Sequence, residues 1–255
     1  MKEFSFNVLA QNGRARYGRM ITSHGIAETP AFVPVATNGS VRSLSVTDLT
    51  GLEVQLLIAN AYHLHLQPGE EVIEKQGGLH QFMGWEKPLM MDSGGFQVLS
   101  LGLAKEHPVS KISTLSRAPG KPGQSFKTKK GKSLVRITEP GVEFVSYRDG
   151  SSHLFTPEKS VQTGVRLGVD IIMVLDECTS PLHSTRETLE AMDRTHRWAE
   201  RSLTEFNRLS PLGQALFGII QGGPYEDLRR KSARFIGDQP FDGIAIGGYL
   251  GNSRQ

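Results

Sequence analysis

The chain opens on two short strand-like segments, FNVL and ARYGRMIT, which flank Gln11-Asn12-Gly13. Asn-Gly is the strongest short hairpin signal, because both turn residues must tolerate positive φ. Beyond it the rhythm changes to short unbroken apolar runs. PAFVPVA (30–36), VQLLIAN (54–60), KPLMMD (87–92), DIIMVLDE (170–177), ALFGIIQGG (215–223) and FDGIAIGG (241–248) read as strands. Helical signals lie between them. Ser45-Val-Thr-Asp48 predicts entry to a short helix. Thr156-Pro157-Glu158 offers a capping hydroxyl with proline at the first helical position, and Gly168 closes that helix. Ser184 and Glu187 have capping-box spacing. After them Leu189, Met192, Thr195, Ala199, Leu203 and Phe206 recur at three- and four-residue steps, which turns one helix face inward. Tyr225 to Ile236 reads as a further amphipathic helix.

Continuous apolar strands alternating with helices predict an α/β domain with a parallel sheet covered on both faces. An open doubly wound sheet and a TIM-like (β/α)8 barrel both satisfy that pattern. No G-x-G-x-x-G and no phosphate-loop lysine motif follows any strand, which removes the main nucleotide signatures of the open form. In a barrel, the C-terminal strand ends converge on one mouth. Here those ends carry Asn60, Asp92, Asp176, Gln221 and Gly247-Gly248. Helix caps and turns explain one or two of them, and five together predict a polar pocket.

Composition narrows the class. An apolar fraction of 38% with 22% charged residues is globular. No apolar run approaches the roughly 18 residues of a membrane helix, and the first residues lack a signal-peptide h-region. Cys178 is the single cysteine, so neither an internal disulfide nor a Cys-rich zinc site can form within these residues. The expectation is a cytoplasmic protein with no membrane partner. Net charge is only +3, but residues 103–133 hold eight Lys or Arg against one acid, Glu106. Three prolines and the lack of any period make that stretch a basic loop insertion. It is either a solvated loop or an arm that meets phosphates, with Lys127, Lys129, Lys130 and Lys132 as candidate RNA contacts. His63 and His65 would share one face of a strand, yet no further His or acid pair at ligand spacing joins them, so no metal is expected there.

In LMMDSGGFQ (89–97) an apolar run ends on an acid, a hydroxyl and two bare glycines. Two carboxylates, an amide and exposed backbone suit guanine's Watson–Crick edge. One carboxylate answers the N1–H and 2-amino donors, and Gln or a backbone N–H answers O6. Spacing alone leaves a sugar-phosphate barrel enzyme equally open.

MDSGGFQV, LDECTSP, FGIIQGGPYEDLR and GIAIGG, with the earlier GRARYGRM, ETPAFVPVAT and NAYHLHLQPG, resemble the tRNA-guanine transglycosylase (queuine tRNA-ribosyltransferase) family, bacterial type. The resemblance covers the chain except the basic insertion. It implies exchange of guanine at the anticodon wobble position for a 7-deazaguanine, in queuosine biosynthesis. Cys178 in LDEC fits the branch that takes the aminomethyl (preQ1-type) base. It further implies Asp92 as proton acceptor, with Ser93, Gly94, Gly95 and Phe96 lining the base site. Asp176 would read the donor edge and Gln221 the O6 side, while Gly248 adds a backbone contact. Tyr249-Leu-Gly-Asn252 departs from the family's usual run after AIGG.

Members of the family continue past that strand. The continuation supplies a nucleophilic Asp, a three-Cys-one-His zinc site and further basic tRNA contacts, and full-length members are expected to pair as homodimers. None of these ligands is in this chain. The expectation is therefore an incomplete barrel, with the hairpin and about six barrel strands in one domain over 1–255, and a fragment without turnover. A non-catalytic tRNA-binding paralogue is the alternative.

Overall fold

The computed structural model describes residues 4–95, 135–146, 148–180 and 183–248. The expected hairpin forms: β1 (Ser5–Asn12) and β2 (Ala15–Thr22) pair antiparallel with Asn12 opposite Ala15. Gly13 takes the positive φ that the turn requires, +58°. A third strand that the pattern did not mark, β3 (Gly25–Thr29), adds to β2.

The main sheet contains β4 (Val35–Ala36), β5 (Leu57–Asn60), β6 (Leu89–Asp92), β10 (Ile171–Met173), β11 (Ala215–Ile220) and β12 (Gly243–Ile246). They lie in that order, every neighbouring pair parallel. Each strand is added on the same side as the one before. A doubly wound sheet reverses its strand order at a switch point, and this sheet has no reversal among the described residues. A separate antiparallel sheet of β7 (Val135–Ile137), β8 (Val142–Val145) and β9 (Ser152–Phe155) lies between β6 and β10 in the chain. Sequence pattern had assigned no element there.

The helices start where local chemistry predicted. Ser45 accepts from the Asp48 N–H at 3.1 Å while Asp48 accepts from the Ser45 N–H at 2.8 Å, and α1 (Val46–Gly51) follows. The same reciprocal bonds between Ser184 and Glu187 open α6 (Thr185–Leu209). Thr156 caps α5 (Pro157–Leu167), which ends at Gly168 in the left-handed region. The amphipathic helix near 225–236 is α7 (Glu226–Gly237).

Two expectations need correction. PAFVPVA gives only the two-residue β4, because Pro30 and Pro34 lack the N–H a ladder needs. His63 and His65 are not on a strand. Asn60 ends β5 and caps a short helix, α2 (Ala61–Leu66), by accepting from the His63 N–H at 3.1 Å. Two residues apart on a helix, the histidines diverge. His65 meets Glu70 at the start of α3 (Glu70–Lys75), whereas the ordinary pKa of His63 is pushed down by burial and by Arg148. A further short helix, α4 (Leu79–Met83), leads to β6.

The core runs along both faces of the parallel sheet. Leu57, Leu89, Met91, Ile172, Val174 and Leu216 meet Val161, Leu167 and Trp198 from the helices and Trp85 from the loop after α4. A smaller cluster (Met20, Ala27, Leu56, Ile171, Ala215) seats the N-terminal antiparallel sheet on the starts of β10 and β11. Trp198 donates to the Glu139 carbonyl at 2.8 Å, and Arg197 grips the Glu139 carboxylate at 2.6 and 2.8 Å. These bonds fasten α6 to the β7–β8 turn. The two edge strands keep apolar side chains exposed, Val35 on β4 and Ile244 and Ile246 on β12. No helix among the described residues is long and apolar enough to cross a membrane. Phe96, the insertion at 103–133 and its lysines Lys127, Lys129, Lys130 and Lys132 lie outside the described residues.

Candidate active site

Parallel strands point all their C-terminal ends the same way, so the polar residues that close the apolar runs collect on one face. Asp92 closes β6, and Asn60 closes the neighbouring β5, opposite it in register. The Asn60 amide donates to both Asp92 oxygens at 2.9 Å, and the Gly94 N–H donates to Oδ1 at 2.8 Å. Since Asn60 Oδ1 is committed to the α2 cap, its Nδ2 can only point outward, and Asp92 is fixed in turn. These donors on both sides hold the Asp92 carboxylate in one orientation and favour its ionised form.

The next residue links this acid to the second one. Ser93, buried, donates to Asp176 Oδ1 at 3.3 Å. Asp176 follows β10, the strand beside β6. It is 6% exposed, and its Oδ2 accepts from Cys178 Sγ at 3.3 Å and from Gln221 Nε2 at 2.5 Å. Gln221 follows β11, and its Oε1 is buried with no hydrogen-bond partner among the described residues. A Cβ added at Gly248 would come within 2.6 Å of that oxygen, so Gly248 borders the same spot. Asp92, Ser93, Asp176, Gln221 and Gly248 are thus gathered at adjacent strand ends.

The glycines have a reason that sequence did not supply. A Cβ on Gly94 would lie 2.7 Å from Tyr62 Cβ, and one on Gly95 would lie 2.3 Å from the Asp176 carbonyl and 2.9 Å from Oδ1. Their bareness lets the turn close against α2 and against the second acid. Gly95→Ala should therefore push Asp176 away from Ser93. The expected outcome is a loss of about 1–3 kcal/mol in urea unfolding, the usual cost of overpacking; an unchanged midpoint would mean the loop yields freely.

Five supporting residues carry no mark in the sequence. Arg229 on α7 turns inward and donates to the carbonyls of Ile220 and Gly247 at 3.0 and 2.8 Å and of Gly223 at 2.9 Å. Burial pulls its guanidinium pKa below the ordinary arginine value. An Arg in an amphipathic helix carries no sequence mark distinguishing it from a solvated one. Ser232 accepts from the Gln221 N–H at 3.1 Å and lies 2.9 Å from His196 Nε2. Burial pushes His196 down to about 4, so the ring is neutral and Nε2 can accept the Ser232 hydroxyl proton. Beside Asp176, burial pushes the Glu177 carboxyl up, with Arg194 opposing.

The three-Cys-one-His zinc centre finds no fit in these residues. Cys178 is the only cysteine, and its thiol is bonded to Asp176.

Fold and site together define a singly wound parallel α/β protein with paired carboxylates and an amide on its strand-end face. Comparison with known sequences makes that class specific. The family model described as "Queuine tRNA-ribosyltransferase" matches residues 11–121 and 120–255. A putative queuine tRNA-ribosyltransferase of Archaeoglobus fulgidus is 45% identical over 245 residues, 95% of this chain and 60% of its own length. A queuine tRNA-ribosyltransferase of Roseiflexus sp. is 42% identical over 266 residues, 99% of this chain and 62% of the relative. One from Chlamydia pneumoniae is 44% identical over 247 residues, covering 96% and 62%. The chain belongs to the queuine tRNA-ribosyltransferase family. It spans about three fifths of the length of these relatives.

Proposed function

We propose that this chain carries the base-exchange site of a tRNA-guanine transglycosylase, a pentosyltransferase that replaces guanine in the tRNA anticodon with a 7-deazaguanine. The observation that carries the reading is the placement of Asp92 and Asp176 on neighbouring strand ends, joined through Ser93. Asp176 faces the donors of the base, N1–H and the 2-amino group. Gln221 and the Gly248 backbone face O6, so the Gln221 amide must exchange its bond to Asp176 for one to the base. Asp92 handles the ring-nitrogen proton. Guanine departs with the electron pair of the C1′–N9 bond and takes up a proton at N9, while C1′ would pass to the nucleophilic carboxylate that the family resemblance implies beyond these residues. The incoming base gives up a proton and displaces that carboxylate as its own bond to C1′ forms. A single carboxyl can serve both transfers in turn.

The sequential parallel order supports the larger architecture in this proposal. Six strands form the arc of a (β/α)8 barrel, and the exposed apolar side chains on β4 and β12 are what neighbouring strands would cover. Docking of the tRNA falls on the face where the strand ends open.

Calorimetric titration of guanine into a version extended to the length of its relatives tests the recognition step. Asp176→Asn places a donor opposite guanine's own donors. An unmet buried polar group costs about 1–3 kcal/mol, so affinity should fall roughly 5- to 150-fold. Unchanged affinity would remove Asp176 from the base site.

A further inference from the structure

At the opposite end of the parallel sheet from the acids, three side chains far apart in sequence converge. His24 sits in the turn between β2 and β3, His80 on α4, and Asp170 immediately before β10. A ring nitrogen from each histidine and a carboxylate oxygen of Asp170 all lie within 4.8 Å of one another. His24 Nδ1 is 2.8 Å from Asp170 Oδ1, and His80 Nε2 is 3.3 Å from Oδ2. The imidazoles are stacked, with centroids 3.5 Å apart and planes 15° apart.

Hydrogen bonding accounts for only part of this. The Asp170 side chain has no exposed surface, and it accepts from the His24 N–H at 3.2 Å and from the Leu89 N–H at 2.9 Å. His80 Nε2 is close to Oδ2 but lacks the direction of a hydrogen bond, so it is a buried nitrogen with no hydrogen-bond partner among the described residues. Such a group calls for an explanation, an ion among them.

We infer that His24, His80 and Asp170 bind one divalent first-row transition-metal ion of the Zn²⁺ type. Two imidazoles and one carboxylate are the donors such ions prefer, and they are too few oxygens for Ca²⁺ or Mg²⁺. With bonds of about 2.0–2.1 Å, the ligand atoms of a tetrahedral zinc stand roughly 3.3 Å apart. The contacts at 2.8 and 3.3 Å are close to that spacing, but the rings are nearly parallel, so one of them must tilt well out of the stack before both in-plane lone pairs meet a single ion, a movement that falls to the exposed His24. The Leu89 N–H steadies the ligating carboxylate as an outer-shell donor does. His24 is partly exposed, which gives the ion an entry path and leaves its fourth position to water. Because the three ligands come from the N-terminal sheet, α4 and β10, the ion would staple the antiparallel sheet to the start of the parallel one.

The test is titration of the chelator-treated chain with Co²⁺, followed by visible absorption, and with Zn²⁺, followed by calorimetry and thermal unfolding. One equivalent of Co²⁺ should give tetrahedral d–d bands that Zn²⁺ abolishes. Zn²⁺ at about a hundred times its Kd should raise the melting temperature by roughly 5–10 °C. His24→Ala, at a partly exposed turn, should weaken binding by at least about 100-fold, and His80→Gln should do the same. His183→Ala, a histidine outside the trio, should leave binding unchanged. Absence of one-equivalent binding, or its persistence in both His24→Ala and His80→Gln, would overturn the site and leave Asp170 as a hydrogen-bonded hub alone.

Discussion

In a version extended to the length of its relatives, base exchange by the Asp92→Asn protein is expected to run about 10²–10⁴-fold slower than by the unaltered protein, the range that general acid–base help supplies. On the proposed chemistry both half-exchanges move a proton through this carboxyl, and an amide cannot carry it. The fold should survive. Asn60 keeps one of its two bonds to residue 92, and the surrender of the other costs about 1 kcal/mol. Radiolabelled guanine incorporation into tRNA, assayed beside thermal unfolding, separates the two effects. Turnover within a few-fold of normal would make Asp92 a structural partner of Asn60. If exchange falls while guanine affinity holds, the acid belongs to chemistry and not to recognition.

The largest stability effect should come from a different acid. Glu70 opens α3, is 7% exposed, and accepts from His65 Nδ1 at 2.8 Å and Thr163 Oγ1 at 2.9 Å, with Lys159 Nζ at 3.2 Å. Burial pushes its carboxyl up, but the His65 bond, its own backbone and the His65 and Lys159 charges together outweigh that and hold it well below the usual range. Its folded pKa is therefore depressed. The stabilisation is present above the unfolded value, about 4.3, and is lost as pH falls through the lower folded one. Glu70→Ala strands donors from α2 and α5 and should cost about 3–5 kcal/mol in urea unfolding near neutral pH, as breaking a buried pair does. The gap between the two proteins should narrow progressively below about pH 4. A gap that stays constant down to strong acid would show that the Glu70 charge is not what joins these helices.

Local signals carried much of this molecule. The hairpin formed where expected, with its turn at Gly13-Arg14 one residue past Asn12, and the helix entry at Ser45, the capping box at Ser184 and the Thr156-Pro157 start with its Gly168 stop all formed where the residues placed them. Each depends on φ, ψ and hydrogen bonds within about four residues. The apolar runs ending in Asn60, Asp92, Asp176, Gln221 and Gly248 likewise put those residues on one face, since parallel strands share a direction. Misreadings arose where local pattern was ambiguous. Prolines cut β4 to two residues, and Asn60 turned His63 and His65 into a helix, because an amide at a strand end is also a helix cap.

What the sequence by itself determined is therefore the parallel strands that end in the acids and the longer helices between them; β3, the β7–β9 sheet and the short helices α2 to α4 were not legible in it. Only the tertiary structure decided which side chains meet. Asp170 takes His24 from 146 residues away, Glu70 takes Thr163 across 93, and Arg229 bends inward to bind three carbonyls. It also decided that Gly95 is bare because Asp176 lies against it. The physical reason is range: a cap or turn is settled by the residue's own neighbours, whereas a buried pair is settled by helices and strands docking to form one core, and no periodicity along the chain records that.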